Sequence, residues 1–280
     1  MKKFQRFCTL FLLMIGLCSF ALHAQSYAGL WRQVEQAQKK SLPQTVVKLT
    51  EKIYRKAELE KNAPQMLKAY ICREAYQERL TPDSLYTNLK KLESWVESEK
   101  NLVNKAILHS LLAREYSDYM RHNRRQLSDR TALDVDEAPA DIREWSTNLF
   151  VAKVDEHNLA SLKDSVRLLE VSSKEYVPFV ELEDGSRFYG HDMYHLLASR
   201  AIRALNQIER LERGSFNGIT ASPVKQDIIN IYERMTDAYE TVGLKEGYVL
   251  TMLQYLEWKR GNDNKLQPVQ LKKGLGEWTA

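Results

Sequence analysis

The sequence is poor in cysteine and lacks a hydrophobic run long enough to span a bilayer. Its three cysteines stand at positions 8, 18 and 72 of 280 residues. The most apolar stretch, Cys8 to Leu22, is about 15 residues long, whereas a spanning helix needs roughly 20. These shortages argue against a disulfide-rich scaffold and against a transmembrane anchor at the N-terminus.

The first 24 residues instead have the three parts of an export signal. Lys2, Lys3 and Arg6 precede the apolar stretch, and the letters LHA end at Ala24. This order predicts a secretory signal peptide over residues 1–24, cleaved after Ala24, and a periplasmic or secreted mature protein.

Cys18 is a weak candidate for lipidation, because bulky Leu17 precedes it where a small residue is expected. We therefore expect no lipid anchor, and membrane attachment only if Cys18 is acylated. Cys72 then remains alone in the mature chain, so no intramolecular disulfide can form. Its neighbours on a predicted helix favour a buried, inert thiol over a reactive or intermolecular one.

Basic and acidic residues are nearly balanced in the predicted mature chain. The signal takes three of the 41 basic residues and none of the 37 acidic ones, which leaves the mature chain nearly neutral. A basic run, Arg121 to Gln126 with Arg114 and Arg130, is the only footprint for a polyanion. Export and the even balance argue against nucleic acid. A solvated face or a contact with the following acidic loop is expected, with an anionic surface partner as the alternative.

Sites of catalysis are also scarce. The sequence has no phosphate-binding loop, nucleophile elbow, CxxC pair or HExxH motif. His191 and His195 are weak metal candidates, because a spacing of four places two rings on one helix face, but a third ligand is missing. Glu181, Glu183 and Asp184 crowd a turn that would expose them to water. We therefore predict no enzyme activity, no cofactor and no metal; the alternative is a hydrolase or metal enzyme centred on the two histidines.

Helical periodicity is what the sequence has in abundance. Apolar residues recur at spacings of three and four along most of the mature chain, with Pro43, Pro64 and Pro82 near helix starts. Helix pairs near the start recur at about 35 residues, close to the tetratricopeptide period of 34. The pattern predicts an all-α, tetratricopeptide-like solenoid of antiparallel helix pairs, with a short irregular or hairpin segment near residues 177–190.

The same pattern suggests a domain organisation. We expect an N-terminal helical repeat module over residues 25–128, an acidic loop over 129–141, a C-terminal helical module over 142–261 and a mobile tail over 262–280. A long helix is predicted from Ile142 to Leu169. Trp31, Trp95, Trp145 and Trp258 are expected in the core, and four other aromatic residues are candidates for lining a concave groove. These four are Tyr116, Tyr119, Phe188 and Tyr189.

Several ordered blocks carry a resemblance to a known family. SYAGLWRQVEQAQKKSLPQTVVKLTEKIYRKAELEKNAPQMLKA, VNKAILHSLLAREYSDYM, DIREWSTNLFVAKVDEHNLASL and SRFYGHDMYHLLASRAI are similar to the N-terminal helical region of bacterial alpha-2-macroglobulin family proteins. Those proteins are secreted or periplasmic protease traps with β-sandwich domains, a bait region and a Cys-x-Glu-Gln thioester. No such motif occurs here, since Cys72 stands in ICRE.

The resemblance implies the leading module only, as a truncated chain or one half of a split protein. Its expected role is a non-enzymatic scaffold of an endopeptidase inhibitor, docking against the remaining macroglobulin-type domains or another envelope protein. The alternative from another class is a free-standing tetratricopeptide-like surface or periplasmic receptor of the nutrient-capture type.

Overall fold

The computed structural model describes residues 26–81, 84–134, 138–189, 191–215 and 223–262. The predicted signal peptide with Cys18, and the predicted tail beyond residue 262, lie outside these ranges. Within them the chain is helical and has no strand, so the all-α prediction is confirmed. The α-helices in chain order are α1 Tyr27–Lys39, α2 Pro43–Leu59, α3 Ala63–Leu80, α4 Ser84–Ser98, α5 Leu102–His122, α6 Arg124–Ser128, α7 Thr147–Ala160, α8 Ser165–Glu170, α9 Met193–Ser215, α10 Pro223–Thr241 and α11 Lys245–Asn262.

The chain forms two compact units, which divide at Pro82 and Asp83. The first contains α1 to α3, and the second contains α4 to α11. The predicted boundary, the acidic loop over 129–141, lies inside the second unit. Helix α5 precedes that loop, yet it packs on α7 and α9 beyond it. Packing between distant segments therefore places the division about 50 residues earlier than composition suggested.

Two turns of the same geometry connect the helices of the first unit. Ser41 and Lys61 each adopt a φ of 53°, the left-handed conformation that ends many helices. The following backbone N–H of Leu42 donates to the carbonyl of Ala37 at 2.9 Å, and that of Asn62 donates to Ala57 at 2.8 Å. Each turn closes the last helical carbonyls and reverses the chain, so α1, α2 and α3 follow one another as neighbours.

Contacts between α1 and α3 recur at one sequence separation. Trp31 Nε1 donates to Gln65 Oε1 at 2.7 Å, and Gln38 Nε2 donates to Cys72 Sγ at 3.8 Å; both pairs are 34 residues apart. Beneath them lies an apolar core of the first unit. Its buried members are Leu30, Val34, Ala37, Val46, Ile53 and Ala69.

Helix α5 is the centre of the second unit. It packs on α4, α7 and α9, and its buried residues lie on most sides of the helix. They are Val103, Ala106, Ile107, Leu108, Ser110, Leu111, Leu112, Ala113, Tyr116 and Met120. The sequence predicted this environment, because apolar residues cover most of the circumference of the segment. Helix α9 lies against α5, α7, α8 and α10, and α10 packs on α11.

The long helix predicted from Ile142 to Leu169 is wrong. A 3₁₀ turn over Ile142–Glu144 precedes α7, and a four-residue turn separates α7 from α8. At the second break, buried Ser161 donates its hydroxyl to the carbonyl of Asn158 at 2.6 Å. Side chains that bond the nearby backbone compete with helix continuation, and periodicity alone does not reveal them.

The segment near 177–190 is irregular, which decides between the two predicted forms. Asp184 and Gly185 begin a 3₁₀ helix that runs to Tyr189, rather than a hairpin turn. This 3₁₀ segment packs on α11. Within the described ranges, none of the helices combines the length and apolarity needed to cross a bilayer.

Gly247 allows α11 to approach the 3₁₀ segment. A Cβ added there would lie 2.9 Å from the carbonyl oxygen of Phe188, whereas a Cβ on Gly261 of the same helix meets nothing within 4 Å. We predict that Gly247→Ala destabilises the protein by about 1–3 kcal/mol, although alanine favours helix. Gly261→Ala is the matched control and should be neutral or stabilising. Urea unfolding measures both, and equal effects would contradict the close approach.

Candidate functional site

The start of α9 gathers the polar residues that the sequence singled out. Asp192 caps the helix, because its Oδ1 accepts from the backbone N–H of His195 at 2.6 Å. An isolated antiparallel bridge joins Asp192 to Ser172. Next to it, Met193 N donates to the carbonyl of Val171 at 3.0 Å. Together, the cap and the bridge fix where the helix begins and which side chains turn inward.

His191 and His195 do not form the metal pair that their spacing suggested. His191 precedes the helix and has a φ of 57°, so the two rings are not one turn apart on a helical face. The His191 carbonyl accepts from the Ser173 hydroxyl at 2.7 Å, which makes it part of the bridge. Among the described residues, no three histidine, cysteine, aspartate or glutamate side chains lie together as metal ligands would.

His195 instead packs into an aromatic layer. Its ring stacks on Tyr189 with centroids 3.6 Å apart, and Tyr239 lies against both. Burial lowers the pKa of His195 to about 4. Three buried polar atoms of this layer have no hydrogen-bond partner among the residues that the structure describes. They are Asp192 Oδ2, His195 Nδ1 and the Tyr239 hydroxyl.

The chemistry of this layer favours neutral side chains. Burial raises the pKa of Asp192 to about 6, against backbone hydrogen bonds that lower it, while burial lowers that of His195. A carboxyl and an imidazole shifted in these directions do not form an ion pair. Asp192 is only 7 % exposed, and Tyr239 is completely buried. The layer therefore acts as a packed helix start, capped by Asp192.

A second histidine pair, which sequence reasoning missed, lies between α5 and α7. His109 Nδ1 is 3.0 Å from His157 Nδ1, although the residues are 48 positions apart. The His157 ring stacks on Tyr116 with an angle of 5° between planes, and the Tyr116 hydroxyl donates to Glu93. Burial, then the neighbouring His109, lowers the pKa of His157 to about 4. One imidazole must donate and the other accept, so the pair is stable with both rings uncharged.

The aromatic residues proposed for a groove belong mostly to packed interiors. Tyr116 is buried against Trp145, and Tyr119 stacks on Phe150. Tyr189 stacks on His195, which leaves Phe188 as the exposed member. The four do not form one surface. Of the four tryptophans that the sequence predicted in the core, Trp145 is buried, and Trp31, Trp95 and Trp258 are partly buried.

A different aromatic surface occurs on the first unit. Tyr27, Trp31, Tyr54 and Tyr76 are partly buried against its core, and each ring has a cation over it. The cations are Lys56 at 5.0 Å, Lys68 at 4.7 Å, Arg73 at 5.1 Å and Arg79 at 5.0 Å from the respective centroids. We call these eight residues the aromatic–cation rim. Tyrosine, tryptophan and arginine are the residues that most often dominate binding energy at protein interfaces.

The three carboxylates of the predicted turn are exposed: Glu181, Glu183 and Asp184. Cys72 is partly buried beside the core of the first unit, and burial raises the pKa of its thiol, as an unreactive cysteine requires.

The arginines of the basic run have different partners. Arg121 pairs with Asp118 on its own helix at 2.8 Å, and Arg130 donates to the carbonyl of Trp145 at 2.6 Å. Of the two predicted arrangements, the described contacts favour the solvated face for Arg121, which is exposed.

One small cavity opens between α7, α9 and α10. Its volume is about 230 Å³. The lining includes Leu159, Leu162, Tyr194 and Ile231, with Asp227 and Arg234 along α10. Ligand pockets usually measure about 300–1,000 Å³. This cavity therefore has room for a side chain rather than a cofactor.

Comparison with known proteins adds no relative: no family model matches the chain, and no curated protein sequence or solved structure matches it significantly.

The histidine pair generates a pH-dependent stability. The folded-state pKa of His157, about 4, lies below the ordinary value of 6.5, so the fold favours the neutral ring. Its contribution is complete above pH 6.5 and is lost as pH falls towards 4. We predict that His157→Phe, which keeps an aromatic ring on Tyr116, reduces the acid-induced loss of stability by about 1–3 kcal/mol. Urea unfolding at pH 7.5 and 4.5 measures this, with exposed His122→Gln as the control. An unchanged pH dependence in His157→Phe would rule out the pair as its source.

Asp192 should behave in the opposite way. Its folded-state pKa of about 6 exceeds the ordinary 3.8, so the ionised form is penalised above pH 6 and the penalty disappears below 3.8. Asp192→Asn keeps an oxygen that can cap α9. We expect this variant to be more stable than the wild type by about 1–2 kcal/mol at pH 7.5 and equal to it near pH 3.5. Exposed Asp184→Asn is the control. A less stable Asp192→Asn at pH 7.5 would show that the charge itself is required.

Proposed function

We propose that the protein is a non-catalytic protein-interaction module, built as a tetratricopeptide-like stack of helix pairs. The observation that supports this most directly is the recurrence of contacts at a separation of 34 residues between α1 and α3. That separation equals the length of a tetratricopeptide repeat. The two turns of identical geometry, at Ser41 and Lys61, support the same interpretation.

Stacked helix pairs bind other polypeptides along an extended surface. We infer that the aromatic–cation rim contributes to such a surface. Its rings pack against the core and contact cations, so they are already ordered and little side-chain entropy is lost when a partner contacts the rim. The packed residues at the start of α9, whose charged forms burial disfavours, are consistent with a non-catalytic role.

The resemblance to the N-terminal helical region of alpha-2-macroglobulin family proteins suggests a class of partner. We propose that the module is exported and docks against macroglobulin-type domains, encoded in continuation or separately, or against another envelope protein. Its contribution to protease trapping would then be as a scaffold, because the thioester motif is not in this sequence.

The test is affinity capture from periplasmic extract with the mature chain as bait. We predict that the bait retains a macroglobulin-type chain or an envelope protein, and that Lys68→Glu with Arg79→Glu reduces retention about tenfold, as loss of a hot spot does. Lys40→Glu with Lys48→Glu changes the charge equally on exposed positions outside the rim and should retain the partner. Failure to retain either kind of protein would remove support for docking. Equal losses in both variants would reject the rim as the surface.

A further inference from the structure

Arg200, on α9, carries a charge that its surroundings do not balance. The side chain is partly buried, and its Nε donates to the hydroxyl of Ser110 on α5 at 3.1 Å. A guanidinium has five N–H donors, so this bond satisfies one of them. Among the residues that the structure describes, no carboxylate forms an ion pair with Arg200.

Two further arginines act electrostatically on Arg200. Arg114 lies one helical turn beyond Ser110 on α5, and Arg203 lies three residues beyond Arg200 on α9. Burial lowers the pKa of Arg200, and the positive charges of Arg114 and Arg203 lower it further. Three guanidinium groups from two packed helices therefore share one region of the second unit.

Arg114 is itself only partly satisfied. It contacts Glu115 at 2.6 Å and Asp118 at 4.0 Å, and Asp118 also pairs with Arg121. The buried Nε of Arg114 has no hydrogen-bond acceptor among the described residues, although Asp118 Oδ2 lies 4.0 Å from it. A second donor without an acceptor, independent of the Arg200 charge, thus occurs in the same cluster.

Such an arrangement is costly unless an anion completes it. A partly buried charge without a counter-charge is unfavourable, and nearly all buried donors have an acceptor. Guanidinium groups bind carboxylate and phosphate through paired N–H···O bonds, so a cluster of three fits an oxyanion with several oxygens.

We propose that Arg200, Arg114 and Arg203 form a binding site for an oxyanion, either a free phosphate-type ion or a carboxylate of an acidic polypeptide. Arg200 lies at the buried end, with its orientation fixed by Ser110. Arg203, which is exposed, lies at the solvent end. The site is separate from the aromatic–cation rim, which belongs to the first unit, and it does not depend on the function proposed above.

The experiment is thermal unfolding of the mature chain at constant ionic strength, with sodium phosphate replacing sodium chloride. The wild type should show a saturable rise in Tm of about 3 °C at ten times the dissociation constant. Arg200→Met should abolish the saturable rise and, in chloride alone, should unfold at a higher temperature than the wild type, because the unbalanced charge is gone. Exposed Arg167→Met, which removes an ion pair with Glu170 at 2.9 Å, is the control and should respond as the wild type does.

A second variant keeps the test decisive if Arg200→Met does not fold. Arg203→Gln changes an exposed side chain, and it should weaken phosphate binding about three- to tenfold. To identify the source of the oxyanion, hexaglutamate and hexaglutamine peptides are compared at equal concentration. Stabilisation by hexaglutamate at lower concentrations than phosphate assigns the site to an acidic polypeptide, and the reverse order assigns it to a free ion. The proposal is overturned if neither ligand gives a saturable rise, or if the rise persists in both Arg200→Met and Arg203→Gln.

Discussion

The second unit depends on the burial of α5 on most of its sides. Helices α4, α7 and α9 cover it, so the polar groups on its covered sides need partners inside the protein. His109, Ser110 and Arg114 are such groups, and each leads to a feature described above. His109 meets His157, Ser110 receives the Arg200 guanidinium, and Arg114 adds a charge beside it.

Loss of water affects the histidines and the arginines of this region differently. A histidine that loses water becomes neutral at little cost, because its ordinary pKa is already near 6.5. The His109–His157 pair is therefore compatible with a packed interior at neutral pH. An arginine cannot become neutral in the same way, so the charge of Arg200 persists and calls for a counter-ion. The same burial that makes the histidine pair structural makes the arginine cluster a candidate for binding.

The first unit is organised by local turns more than by a central helix. Left-handed residues at Ser41 and Lys61 close two helices in the same way, and the resulting register brings residues 34 apart into contact. Because the period arises from helix and turn lengths, substitutions on the outer face leave it unchanged.

Helix positions were predictable from this sequence because apolar spacing and proline placement are local signals. The all-α class and the buried character of α5 followed from such signals, whereas the choice between an irregular segment and a hairpin near 177–189 was made by the structure. The break between α7 and α8 did not, since it depends on the side-chain bonds of Ser161 and Asn158 to backbone groups. The division near residue 82 follows from packing between helices, which composition does not record.

The functional candidates depend even more on contacts between distant segments, which local sequence signals do not reveal. By itself the sequence determined that no catalytic motif is present and that His191 and His195 lie near a helix start. It had no means of pairing His109 with His157, 48 residues apart, or Arg200 with Ser110, 90 residues apart. Only the tertiary structure decided which polar side chains share a buried region, because contacts across packed helices have no period in the chain. Their charge states follow from that burial, which is a property of the fold and not of any segment.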